Sequence, residues 1–151
     1  MYKRILVPID GTDTARSGLK EAIELATQQK AAIRLLHVVN DFPILMEMSS
    51  AINFEQYSDG LQQYGRKVLD EARALVESTG VACETQLETL KGGRVSDAIL
   101  KEVRSSACDL IVIGTHGRRG FQRALLGSDA EAVLRESPVP VLLIRAPGTV
   151  G

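Results

Sequence analysis

The sequence predicts a single open α/β domain with a mostly parallel sheet. Three observations carry that expectation. Apolar strand-like runs alternate with amphipathic helical stretches along all 151 residues, with no compositional break to mark a linker. The run "CDLIVIG" is apolar on both alternating faces, as in a strand covered by helices on either side. And "IVIGTHGRRGFQRALLGSDAEAVL", Ile111 to Leu134, leads from that strand through a glycine- and arginine-rich loop into a helix.

The elements follow in order. "RILVPID" reads as a strand with Pro8 near its C-terminal end, since proline has no N–H for a ladder. Ala15, Leu19, Ala22, Ile23 and Ala26 recur at helical spacing between Thr12 and Gln29. "AAIRLLHVV" is a second, largely buried strand. The stretch from Asn40 to Gly60 has no steady period and is expected to be a loop or partly ordered lid. Leu61, Tyr64, Val68, Ala72 and Leu75 then form the apolar stripe of a long helix ending near a glycine cap at Gly80. "VACETQLET" reads as an outer strand and "GGRVSDAILKEVRSS" as a shorter helix. After "CDLIVIG", Ser128 and Glu131 have capping-box spacing. "SPVPVLLIRA" is the closing strand, its start held by Pro138 and Pro140.

Composition narrows the function. With 44% apolar and 25% charged residues, the chain is of the ordinary globular class. A net charge of −1 argues against a broadly basic nucleic-acid surface. Three Phe, three Tyr and no Trp leave little for base stacking. No apolar stretch approaches a membrane span or a signal-peptide core, so the expectation is a cytoplasmic protein with no membrane partner. Cys83 and Cys108 lack metal-ligand or CxxC spacing and read as small buried hydrophobes.

Right-handed crossovers put all strand C-termini on one rim, where open α/β sheets bind ligands. Three segments fall there: "PID", "HVVN" and "GTHGRRG". Glycine admits close backbone approach, and free N–H groups at a helix start favour an anion. Ser128 adds a hydroxyl, and Arg118, Arg119 and Arg123 add charge, which points to a phosphate-bearing small molecule. A tight corner with Ser128 as a plain cap, and arginines on a solvated face, is the competing reading. Asp10 is open to two roles: acceptor for ribose hydroxyls or Mg²⁺-held phosphates, or an Asx-type cap of the turn "DGTD". His37 reads as a structural histidine within its strand, and His116 as a neighbour of the ligand loop. The loop matches neither GxxxxGK[ST] nor a GxGxxG after strand one. No nucleophile–His–acid set or GxSxG elbow is visible.

"ILVPIDGT", "LLHVV", "CDLIVIGTHGRRG" and "LLGSDAEAVLRESPVPVLLI" together resemble the universal stress proteins of the UspA type over nearly the whole chain. Gly114-x-x-Gly117, nine residues, then Gly127-Ser128 is similar to the G-2x-G-9x-G-(S/T) pattern of that family's ATP-binding branch. The resemblance implies a five-stranded, Rossmann-like sheet of the adenine nucleotide alpha hydrolase type, with strand order 3-2-1-4-5, in one domain spanning residues 1–151. It implies an adenine-nucleotide pocket, for ATP or for ADP or AMP; Mg²⁺ could accompany the phosphates, and no catalytic residue is assigned. Asp10 would lie near the ribose with Pro8 and Ile9 at that edge, and the backbone of Val38 or Val39 would meet the adenine. Gly114, Thr115, His116, Gly117, Gly127 and Ser128, with Arg118 and Arg119, would surround ribose and phosphates. A homodimer through residues 140–145 is implied, which would also cover an apolar edge strand.

The chain departs from the pattern at Asp129 and Ala130, where many ATP-binding members carry a further hydroxyl. A carboxylate there is expected to repel phosphate unless Mg²⁺ or Arg118 and Arg119 intervene. Arg94 stands where proline is common. The leading reading is therefore a nucleotide-binding regulatory module with an unidentified protein partner. A nucleotide-free dimeric scaffold and a slow Mg²⁺-dependent ATPase or nucleotidyl enzyme are the alternatives.

Overall fold

The computed structural model describes residues 1–40, 51–115 and 126–145. Its elements are β1 (Arg4–Pro8), α1 (Asp13–Gln29), β2 (Ala32–Asn40), α2 (Ala51–Ser78), β3 (Cys83–Leu90), α3 (Val95–Ser105), β4 (Leu110–Gly114), α4 (Ser128–Glu136) and β5 (Val141–Ile144). The five strands form one parallel sheet of order β3-β2-β1-β4-β5. Fold class and strand order are as expected.

Binary patterning explains the layers. Ile5, Val7, Ile33, Leu35, Leu110 and Val112 point to one face and pack with Leu19, Ala22 and Ala26 of α1 and Leu69 and Val76 of α2. The intervening Leu6, Leu36, Ile111 and Ile113 point to the other face and meet Ile99 and Val103 of α3 and Ala130 and Val133 of α4. Strands buried on both sides must be apolar at every position, which is why β4 shows no alternation. β3, at an edge, alternates poorly and stays half-buried.

Pro8 is the last residue of β1, where its missing N–H costs no rung. Gly80 lies just past α2 with φ +84°, the left-handed cap anticipated for that helix. The loop expected from Asn40 to Gly60 is corrected over its second half. Ala51 to Gly60 are the first turns of α2, a helix of 28 residues. Tyr57 is 44% exposed, and a mostly solvated helical turn leaves no regular apolar stripe to read. The first half of that stretch, 41–50, lies outside the described residues.

The sheet order places the reversal of winding between β1 and β4. From β1 the chain crosses outward to β2 and β3, and from β4 it crosses the other way to β5. The crevice beyond the C-terminal ends of β1 and β4 is thus the topological switch point.

Candidate nucleotide site at the β1–β4 crevice

At the end of β1 the chain turns through Ile9, Asp10 and Gly11 into α1. Asp10 Oδ1 accepts from Thr12 N–H at 3.0 Å and from Thr12 Oγ1 at 2.6 Å. Thr12 is the N-cap of α1, and its Oγ1 accepts in turn from Ala15 N–H at 3.2 Å. The Asx-turn reading of Asp10 is therefore correct. It occupies one carboxylate oxygen only, and a carboxylate offers two.

β2 runs further than its neighbour. The last rung between them is Pro8↔Leu36, followed by Ile9 N–H donating to Leu36 O at 2.8 Å. In a parallel ladder alternate residues turn their N–H and C=O to opposite neighbours. Ala32 and Leu36 face β1, whereas Ile33 faces β3, where it donates to Ala82 O. By the same alternation Val38 faces β1, beyond the last rung, and Val39 faces β3, with which it pairs at Thr89. Of the two valines singled out for adenine contact, Val38 is the one whose amide and carbonyl turn toward the crevice.

β4 ends at Gly114. A Cβ there would crowd Thr14 of α1, whose backbone C and O lie 3.2 Å away, so α1 can come this close only against glycine. Thr115 is buried; its N–H donates to Ile144 O at 2.9 Å and its carbonyl accepts from Gly127 N–H at 2.7 Å. That last bond brings the start of α4 to the end of β4. His116, Gly117, Arg118 and Arg119, named as ligand neighbours from the sequence, lie outside the described residues, as does Arg123.

The Ser128–Glu131 capping box is not formed. Gly127, extended at φ −61°, ψ 152°, is the N-cap, Ser128 is the first helical residue, and Glu131 N–H bonds to Gly127 O at 2.9 Å. The Gly127–Thr115 bond starts the helix one residue early. With glycine as the cap there is no side-chain cap hydrogen bond. A helix start with no side-chain cap is the ordinary condition of an anion-binding one.

Asp129 is placed unexpectedly. Its Oδ1 accepts from Ser96 N–H at 3.2 Å, in the first turn of α3. Asp97 Oδ2 likewise accepts from Arg94 N–H at 3.1 Å. Both carboxylates serve the N-terminus of α3, where a negative charge is stabilised by the helix dipole.

The universal stress protein family profile matches residues 1–145. The chain belongs to the universal stress protein family. A universal stress protein of Thermus aquaticus is 37% identical over 145 residues, covering 96% of this chain and all of that one. A crystal structure of a family member from Burkholderia pseudomallei has 32% identity and a TM-score of 0.78, covering 95% and 96% of the two chains. An Arabidopsis thaliana family member, solved with AMP bound, shares the fold with a TM-score of 0.70 at 18% identity, over 97% and 93% of the chains.

For a universal stress protein, the described residues assemble Pro8, Ile9, Asp10, Val38, Gly114, Thr115, Gly127 and Ser128 around one rim. Ile9 is 6% exposed and packs into the core, so its backbone, not its side chain, borders the crevice. Among the described residues no group of three His, Cys, Asp or Glu is placed to hold a metal. None of their helices is long and apolar enough to cross a membrane. Sequence reasoning passed over the supports behind the site. Tyr64 was read as one member of an apolar stripe, yet its hydroxyl donates to the Asp10 carbonyl at 3.2 Å. The His37 ring, read as structural, donates through Nδ1 to the Ile9 carbonyl at 2.8 Å.

Proposed function

We propose that this universal stress protein binds ATP or a related adenine nucleotide at the crevice beyond β1 and β4, as a regulatory module of the cell's stress response. The observation that supports it best is the Thr115–Gly127 hydrogen bond of 2.7 Å. It sets the uncapped start of α4 beside the end of β4, next to the Asp10 turn. The base would pair its hydrogen-bonding edge with the Val38 N–H and C=O. Asp10, its Oδ1 engaged with Thr12, would receive ribose hydroxyls on Oδ2. Phosphate would lie against Gly127, on the first N–H groups of α4 from Ser128 onward, with Ser128 Oγ, His116, Gly117, Arg118 and Arg119 as further contacts. Relatives of this fold solved with AMP and with cAMP agree with an adenine ligand.

The groups at the rim fit a nucleotide better than they fit a resident metal. A Mg²⁺ ion would arrive with the nucleotide, held mainly by phosphate oxygens and water. We read the module as acting by binding, with little or no hydrolysis. Asp129, bound to Ser96, no longer argues for a nucleotide-free scaffold.

Calorimetric titration with MgATP, together with mass measurement of nucleotide released on denaturation, tests the reading. Saturable heat is expected. Absence of both heat at millimolar nucleotide and any co-purified nucleotide would end it.

We further propose a cytoplasmic homodimer through residues 140–145. β5 is an edge strand and Leu142 is 37% exposed on it, and an open apolar edge favours pairing with a second copy. Light scattering should give twice the monomer mass, and Leu142→Lys should halve it.

A further inference from the structure

The turn that carries Asp10 is held from behind by two side chains that no ligand needs to touch. Tyr64, on α2, donates from its hydroxyl to the Asp10 carbonyl at 3.2 Å. His37, buried on β2, donates from Nδ1 to the Ile9 carbonyl at 2.8 Å. The two rings meet edge to face, with centroids 6.0 Å apart and planes at 70°. α2 comes this close at Gly65, where a Cβ would stand 2.7 Å from both His37 Cδ2 and Leu87 Cδ1. On the other side Gly11, at φ +86°, leaves no room for a side chain, because a Cβ would collide with Tyr64 Oη. Two successive carbonyls of one turn are thus fixed by a matched pair of aromatic donors, with Gly11 required by its conformation and Gly65 by the space around it.

We propose that Tyr64, braced by His37, is a positioning residue for Asp10 that makes the site selective for ribose hydroxyls; this rests on the adenine-nucleotide reading above. The carboxylate of Asp10 is held at Oδ1 by Thr12. Its main chain is held by Tyr64. With both ends fixed, Oδ2 is directed without further loss of freedom on binding, and such preorganisation appears as affinity for the one geometry it favours. Releasing the carbonyl lets the peptide rotate and spreads the carboxylate over several directions. The cost then falls on contacts to the sugar hydroxyls and not on those to base or phosphate.

Tyr64→Phe keeps the ring and removes only the donor. MgATP, its 2′-deoxy and its 3′-deoxy analogues are titrated against the full chain and this variant, with hydrogen exchange followed at the Thr12 amide. The parent protein should bind ATP roughly ten-fold or more tightly than at least one deoxy analogue, as expected for a charged acceptor losing a hydroxyl. Tyr64→Phe should weaken ATP roughly five-fold, the value of one neutral hydrogen bond, and leave that analogue nearly unchanged. The preference therefore shrinks, the Thr12 amide exchanges faster and the unfolding midpoint stays close to the parent's. A merely structural tyrosine would weaken all three ligands in parallel. That outcome, an unchanged preference, or unchanged Thr12 exchange overturns the inference and leaves nucleotide binding standing. A parent protein that binds ATP without discriminating also overturns it. A parent that binds none of the three removes the nucleotide reading and this inference together.

Discussion

Asp129 and Ser96 join two helices that the chain separates by 33 residues: the Asp129 carboxylate accepts from the Ser96 N–H at 3.2 Å. The carboxylate of one helix's first turn caps the first turn of another. Ser96 is fully buried, and among the described residues its Oγ has no hydrogen-bond partner. The backbone N–H at that position therefore depends on Asp129.

Asp129→Ala should destabilise the fold by about 1 kcal/mol, the worth of a helix cap, or about 2–4 °C in Tm for a chain of this size. Asp129→Asn, which keeps the acceptor, should lose less. Scanning calorimetry reads both. Affinity for MgATP should change little in either, since the charge is spent on α3. A ten-fold gain on removing it would show instead that the carboxylate faces the phosphates.

Thr12→Val removes the acceptor for Ala15 N–H and the donor to Asp10 together. Urea unfolding should report a loss of about 1–2 kcal/mol with an unchanged m-value. A loss well under 0.5 kcal/mol, by the same scale, would mean that the cap contributes little.

Gly114→Ala forces a methyl against the Thr14 backbone. Backbone cannot swing aside as a side-chain tip can, so the expected cost is about 1–3 kcal/mol. Gly60→Ala is the control: among the described residues no atom beyond its own stretch of helix lies within 4 Å of the added carbon, and in mid-helix alanine is favoured by about 1 kcal/mol. Chemical unfolding of the pair should shift midpoints in opposite directions.

Burial pushes the Cys83 thiol up to about 11, and Arg73 only partly offsets it. Iodoacetamide should react slowly at neutral pH and accelerate steadily up to that value, not level off near 8.5 as a free thiol does. The sign of the linked stability follows. Between the unfolded and folded values the unfolded chain binds fewer protons, so the contribution is intact below the unfolded pKa and is lost as pH rises toward 11. Cys108 is also raised by burial. Alkylation of Cys83 at neutral pH as fast as a free thiol would contradict the assignment.

What could be read in advance followed periodicity. α1, α3 and the buried strands β1, β2 and β4 show in the sequence because a layer covered on one or both faces must repeat apolar residues at 3.6 or at every position. Ala51 to Gly60 escaped because their helix turns are held by continuity with the packed part of α2, not by a stripe of their own. Asp10 and the glycine–serine turn were legible as local chemistry. The Ser128 cap was misplaced because its rival, the Gly127–Thr115 bond, spans 12 residues and leaves no local mark. Tyr64 and His37 looked like ordinary core positions, and only the closeness of α2 to the β1 turn gives their polar atoms a task. Choosing between Val38 and Val39 needed to know where β1 stops.

Thr115 is a joint as well as a wall of the crevice. Its amide is tied to the last residue of β5 and its carbonyl to Gly127, the N-cap of α4, so the ends of β4 and β5 and the start of α4 meet at one residue. A change at that one residue would therefore be felt by the sheet edge and by the helix start together.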